Sequence, residues 1–277
     1  MSPTTQLLIL GSGTPNCQPG RYFPALAIIV NDQAYFVDCG GGCLQRIATA
    51  HASLHLPALA FPRLNRLFLT HLHPDHTTGL ADFMIAPWVL DRDNCQIYGP
   101  PGTADLCHHL LLAYETGIAE HRDGLVPIHH PLALDIHEIE AGLCYQDHQL
   151  KVFAIPATHG GLKAFSYRFE TPDRSIVVSG DTAPNTRLLK AAQGCDWLVH
   201  EVYSARQLEK RSPDWQTYHR AVHTSTIELA ELANQVQPQK LILMHQLYWG
   251  ISDEELIAEI QAHYPGPIFS AQDLDLF

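Results

Sequence analysis

The stretch THLHPDHTTGL, residues 70–80, decides how this chain is read. His71, His73, Asp75 and His76 fall within six positions, behind the apolar segment RLFLT. His71 and His73 are two apart, so in an extended segment their side chains share a face. Pro74 suits the start of a helix or turn, so Asp75 and His76 approach from another direction. Imidazole and carboxylate together suit zinc and other borderline ions. The segment can hold two cations a few ångströms apart, one on His71 and His73, the other on Asp75 and His76.

Four side chains do not close two sites. Three further candidates stand at the ends of apolar runs: His159 in PATHGG, Asp181 in IVVSGDT and His245 in LILMHQ. Each follows branched aliphatics and enters a polar or turn-prone segment, where a sheet exposes functional side chains. A single strand-end histidine is most often a packed structural residue. The block HxHxDH is far more specific. Histidines elsewhere, such as His51, His108, His121 and His263, are read as structural or surface residues.

Around this motif the chain alternates short apolar strands with helical patterns. Strands are expected at 7–10, at 26–30 and 34–37 as a hairpin about Asn31-Asp32, at 67–70 and at 96–98. Further strands are expected at 152–155, 165–169 and 175–179, at 197–199 ending at His200-Glu201, and at 241–244 ending at His245. Helices are expected to open at Gly40-Gly41-Gly42, over 103–114 and over 188–192. Two more should follow the capping boxes that begin at Ser225 and Ser252. Residues 115–131 read as the largest irregular segment. No linker rich in Gly, Ser or Pro divides the chain, so a single domain over 1–277 is expected, with two similar halves meeting near residue 150.

Composition narrows the class. The 277 residues carry 18 histidines and a net charge of −12 with those histidines neutral. That balance disfavours a large nucleic-acid footprint, which gains affinity by neutralising phosphates. The seven cysteines are odd in number and contain no CxxC pair; a reducing, cytoplasmic setting is expected. The first residues have no basic leader region, and no apolar run approaches the ~20 residues that span a bilayer. No membrane association is expected.

With these residues in place, the chain resembles the metallo-β-lactamase superfamily, in the branch of ribonuclease Z. LGSGTP (10–15), FVDCGGG (36–42), THLHPDH (70–76), ATHG (157–160), SGDT (179–182), His200-Glu201 and the late His245 occur in the family's order. The resemblance implies an α/β fold, the αββα four-layer sandwich of two sheets with helices outside. It implies His71, His73 and His159 on one metal, Asp75, His76 and His245 on the other, and Asp181 bridging both. Asp38 would orient a ligand imidazole from behind. His200, Glu201 and His223 match the family's positions beside the metals. Two divalent ions are implied, zinc by default, with manganese, iron or cobalt also compatible with such ligands.

The expected chemistry is hydrolysis of an ester by a hydroxide that two cations make available near neutral pH. The resemblance implies a dual role for Asp75, as ligand and proton acceptor. His223 is expected to donate a proton to the leaving group, with His200 and Glu201 orienting neighbours. On substrate the sequence favours a small ester, a phosphodiester or sulfate ester ahead of a lactone. Precursor tRNA ranks second for three reasons. The charge is −12, and the first loop TPNCQPGRYFPA is not lysine-rich. Only residues 160–180 separate His159 from Asp181, where the family's tRNA-gripping arm would lie. Trp88, Tyr203, Trp215, Tyr218, Tyr248 and Trp249 are expected to line a pocket for a small organic ligand. Thioester hydrolysis ranks lower, and a metal-binding protein without catalysis lower still, since every ligand position is filled. The resemblance is compatible with a homodimer and assigns it no surface.

Overall fold

Each expected apolar run becomes a strand, and the strands sort into two mixed sheets. A computed structural model describes residues 4–277 and divides them into two compact units. The first comprises residues up to Gly11, Cys17–Ile139 and Asp273–Phe277. The second comprises Ser12–Asn16 and Glu140–Gln272. The division falls at 139/140, and each unit takes a short segment from the far side of it.

The first unit holds β1 (Thr5–Gly11), β2 (Ala25–Val30), β3 (Gln33–Val37), β4 (Arg66–Phe68), β5 (Asn94–Gly99) and β6 (Ala133–Glu138), side by side in that order. β1, β2 and β3 are antiparallel, and Val30 pairs with Gln33 across the Asn31-Asp32 turn. Asn31 takes φ 54° there, the left-handed value this residue type tolerates. From β3 to β6 the strands run parallel. Leu67, Phe68 and Leu69 are fully buried, as befits a central strand of a parallel array covered on both faces. The helices are α1 (Cys43–Leu54), α2 (Pro74–Thr77), α3 (Leu80–Val89), α4 (Thr103–Ala113) and α5 (Glu115–Asp123). α5 lies in the segment read as irregular. It buries no residue, so no hydrophobic stripe marked it in the sequence.

The second unit holds β7 (Gly142–Gln146), β8 (Lys151–Pro156), β9 (Phe165–Glu170), β10 (Ser175–Val178), β11 (Trp197–Tyr203), β12 (Lys240–Leu247) and β13 (Ile268–Ser270) in one sheet. β7 to β10 are antiparallel and β10 to β13 parallel. Its helices are α6 (Thr186–Ala192), α7 (Ala205–Leu208), α8 (Pro213–Val222), α9 (Thr226–Val236) and α10 (Asp253–Gln261). Both expected capping boxes form, at Ser225 with Glu228 and at Ser252 with Glu255. β9 and β10 fill the interval between His159 and Asp181, so that interval is sheet. Two strands run further than expected: β11 continues through His200 and Glu201, and β12 continues through His245. Among the described residues no disulfide joins any of the seven cysteines. Among the described residues no helix is long and apolar enough to cross a membrane.

α3 follows the histidine motif directly and carries an internal proline, Pro87. Proline has no N–H for the carbonyl four residues back, which is Phe83. Buried Arg92 supplies the missing donor: Nη1 reaches Phe83 O at 2.7 Å and Leu64 O at 3.0 Å, and Nη2 reaches Met84 O at 2.6 Å. Burial lowers the Arg92 pKa. Arg92→Met keeps the bulk and orphans three buried carbonyls. It should cost roughly 2–4 kcal/mol, read as a lowered urea midpoint with an unchanged slope.

Candidate functional site

In the first unit the motif begins where β4 stops. Asp38 N donates to Phe68 O at 2.9 Å and Leu69 N to Tyr98 O at 2.7 Å, so the strand end is held from both sides. His73 is the extended residue ahead of α2, and Pro74 opens the helix. The turn expected after His73 is therefore one short helix carrying Asp75 and His76. Cys39 N donates to His76 O at 2.8 Å and Gly79 N to Cys39 O at 2.9 Å, clamping α2 against residues 39–40. A Cβ on Gly40 would stand 2.4 Å from the Asp75 carbonyl oxygen, so only glycine permits this approach.

Asp38 organises the imidazoles. It takes φ 59° and is buried, and its carboxylate accepts from Thr70 N at 2.7 Å, Thr70 Oγ1 at 2.8 Å and His76 Nδ1 at 2.7 Å. Thr70 has one hydroxyl proton, which goes to Asp38. The 3.0 Å contact between Thr70 Oγ1 and His71 Nδ1 is then donated by the ring. His71 and His76 thus both carry their proton on Nδ1, which leaves Nε2 as the electron-pair donor. His71 Nε2 lies 3.0 Å from His73 Nδ1, near the ~3.3 Å that two nitrogens span on a tetrahedral ion with bonds of ~2.0–2.1 Å. His76 Nε2 lies 3.5 Å from Asp75 Oδ2.

In the second unit the candidates come from two loops, after β8 and after β10, and from one distortion within β12. His159 sits in the loop after β8, and its Nδ1 donates to Val222 O at 2.8 Å, so its Nε2 too is the electron-pair donor. Asp181 follows β10. The two loops are tied by Thr158 N to Thr182 Oγ1 at 3.0 Å and Ala183 N to Thr158 O at 2.7 Å. His245 lies within β12 at a bulge. His200 pairs with Leu243 and Val202 with Gln246, so Met244 and His245 stand opposite Glu201 alone. His245 takes φ 51° there, and this kink re-aims its ring. Its Nε2 lies 3.5 Å from Asp181 Oδ2. Asp181, His223 and His245 each offer a ligand atom within 4.8 Å of the others.

Glu201 is the second organiser. Its Oε1 accepts from Thr182 N at 3.0 Å, Thr224 N at 3.2 Å and His223 Nδ1 at 3.0 Å. Burial pushes its carboxyl pKa up, and His223 pulls against that. His200 is fully buried, with Nδ1 at 2.6 Å from Glu201 O, and burial lowers its pKa to about 4. It is a neutral residue of the strand interior, away from solvent.

The sequence reading missed several partners: Thr70, Thr182 and Thr224, whose hydroxyls and amides brace the carboxylates, and His219. The signal for His219 was its spacing, one helical turn before His223 on α8. Its imidazole stacks on His223 at 5.6 Å and 29°, and burial lowers its pKa to about 4. Of the six aromatics expected to line a pocket, Trp88 and Tyr248 are core residues. Trp88 N–H donates to His130 O, and Tyr248 hydroxyl donates to Asp253. Both are buried because each ring packs its apolar body while its polar tip finds an acceptor. Tyr203 is buried too, against Trp249 at 5.7 Å.

Comparison with known proteins gives the family and the fold. Residues 34–246 match the β-lactamase superfamily domain. Solved structures give the fold. The metallo-β-lactamase fold protein YhfI from Bacillus subtilis superposes with TM-score 0.75 over 99% of this chain and 98% of its own, at 14% identity. Human tRNase Z, short form, superposes with TM-score 0.72 over 98% of each chain, at 20% identity. The fold is thus the metallo-β-lactamase fold. In sequence, ribonuclease Z of Mycobacterium bovis (strain BCG / Pasteur 1173P2) is 32% identical over 253 residues, 87% of this chain and 85% of that one. The chain belongs to the metallo-β-lactamase superfamily of hydrolases, in its ribonuclease Z-like branch. This fold generally holds two metal ions, typically zinc, and the donor atoms of each unit fit such ions, with Nε2 presented by His71, His76 and His159.

Asp38→Ala should orphan the Thr70 amide and hydroxyl and the His76 Nδ1–H together. A loss of about 3–5 kcal/mol is expected, measured by urea denaturation in chelator. Asp38→Asn, which keeps an acceptor oxygen, should lose clearly less.

Proposed function

We propose that this chain is a metal-dependent phosphodiesterase that processes the 3′ end of precursor tRNA, an endoribonuclease in keeping with the name ribonuclease Z that its mycobacterial relatives carry. The observation that carries the chemistry is the His223–Glu201 pair beside Asp181 and His245. The relatives carry the substrate class. They are matched over 87% of this chain and 85% of their own, so the lengths are close to equal. This reverses the order drawn from the sequence, which placed small esters ahead of tRNA.

In this reading His71, His73 and His159 would hold one ion and Asp75, His76 and His245 the other, with Asp181 as a further ligand. Bound there, the ions would make a water acidic enough to deprotonate near neutral pH and would draw charge from the phosphoryl oxygens. Asp75 takes the proton of the attacking water. His223 supplies the proton that the leaving alkoxide needs. Its Nδ1–H is engaged by Glu201 Oε1, which fixes the ring and turns Nε2 toward the substrate. Asp38 and the Val222 carbonyl hold the ligand imidazoles in the required tautomer.

A small phosphodiester is the second reading, favoured by β9 and β10 occupying the place of a tRNA-gripping arm. The test is a zinc- or manganese-loaded assay on precursor tRNA at physiological salt, beside bis(p-nitrophenyl) phosphate and an aryl sulfate. Trimming of the precursor at its 3′ end supports the proposal. Turnover of the small diester with the precursor left intact would put the second reading in its place.

Elemental analysis of protein purified without chelator should give close to two metals per chain. Chelation and Asp75→Ala should each abolish turnover, and full activity of either would refute the metal assignment. His223→Ala should lower kcat by about 10²–10⁴-fold while metal content stays at two. A change in KM alone would remove His223 from proton transfer.

A further inference from the structure

One feature of the second unit is used neither by the ligand set nor by proton transfer. α8 ends at His223, and two turns earlier it carries Trp215. Trp215 stacks on His219 at 5.5 Å and 26°, His219 on His223 at 5.6 Å and 29°, and His223 on His245 at 5.7 Å and 28°. Four rings thus stand in file from the candidate site to the surface. Trp249 packs across the His219 ring at 4.7 Å and Tyr218 edge-on at 5.2 Å, so the middle of the file is braced. Its outer end is open: Trp215 is 55% exposed and the neighbouring Tyr218 is 44% exposed.

Burial does not account for an indole and a phenol presented together on the solvent face of a helix. The surrounding charge points to the occupant. Residues 206–220 contain four Arg or Lys against two Asp or Glu, in a chain whose net charge is −12. Lys210, Arg211 and Arg220 are exposed, and the Arg211 guanidinium lies 4.9 Å from the centroid of Trp249. Exposed aromatic rings flanked by cations are what an unpaired nucleobase and its phosphates require. Each stacked base contributes ~1–3 kcal/mol with little sequence preference, and the cations meet the backbone. α8 places Trp215 about 12 Å along its axis from His223, within reach of nucleotides that flank a bond held at the site.

We propose that Trp215 and Tyr218, with Lys210, Arg211 and Arg220, form a stacking subsite for an unpaired nucleobase of single-stranded RNA next to the bond that is cut. This rests on the phosphodiesterase reading above and adds the part of the substrate that is recognised. Trp215 and Tyr218 are specificity residues: they touch the substrate away from the reacting atoms.

The test uses the full-length, metal-loaded protein and a fluorescein-labelled 2′-O-methyl oligoadenylate, followed by anisotropy. Trp215→Ala and Tyr218→Ala should each weaken binding roughly tenfold, and the double variant more. Trp215→Phe should retain most of the affinity, which separates stacking from a folding defect. kcat on bis(p-nitrophenyl) phosphate should stay within about twofold of the parent in all of them, since the reacting groups are untouched. Replacing Lys210 and Arg211 by Gln should flatten the salt dependence of binding. Failure of the parent protein to bind the oligonucleotide, or equal affinity in the double variant, would overturn the proposal. So would Trp215→Ala altering the oligomeric state with oligonucleotide affinity unchanged, which would assign the patch to a second copy. Trp215-dependent binding without cleavage of any phosphodiester would support the subsite and sink the activity proposed above.

Discussion

A single buried carboxylate governs the first half of the site. Asp38 holds His76 directly and His71 through the hydroxyl of Thr70, and so decides which nitrogen of each ring carries a proton. Without that constraint an imidazole presents either nitrogen, and a cluster of histidines is only a polar patch. Asp38 can do this because β3 ends in a left-handed residue whose amide is tied to β4, bringing the carboxylate under the motif. The glycines at 40 and 79 let backbone pass against backbone, which seats α2 and with it Asp75 and His76.

The second unit solves the same problem differently. Here the organising carboxylate, Glu201, lies inside β11, and its partners come from two segments: the loop after β10 and the loop after α8. One oxygen gathers two backbone amides and an imidazole, so Asp181 and His223 inherit their positions from one anchor. The bulge in β12 supplies the remaining displacement. An extra residue opposite Glu201 and a positive φ aim His245 where an unbroken strand would not. The cost of a non-glycine residue in that conformation is of the kind that functional sites retain.

Much of this was legible in the chain itself. The strand runs, the Asn31-Asp32 hairpin and both serine capping boxes have local causes, and local causes show in sequence. HxHxDH is equally local, since spacing alone places two pairs of candidate ligands. The illegible parts depend on distant partners. α5 buries nothing, so no periodicity announced it. β11 and β12 run through His200, Glu201 and His245 because neighbouring strands complete their hydrogen bonds, which no feature of HEV or MHQ reveals. Trp88 and Trp215 are the same residue type in similar helical surroundings, yet one is core and the other surface, because burial belongs to the packing and not to the side chain.

The sequence by itself determined the chemistry on offer: imidazoles and carboxylates at strand ends, in an order that marks the superfamily. Which ring nitrogen faces outward, which threonines brace the carboxylates, and that His219 joins Trp215 to His223 were decided only by the tertiary structure. The reason is physical. Residue type and short-range spacing set what a group can donate or accept, while its orientation is set by hydrogen bonds to residues far away in the chain, such as Thr70 to Asp38, 32 positions apart, and His159 to Val222, 63 apart.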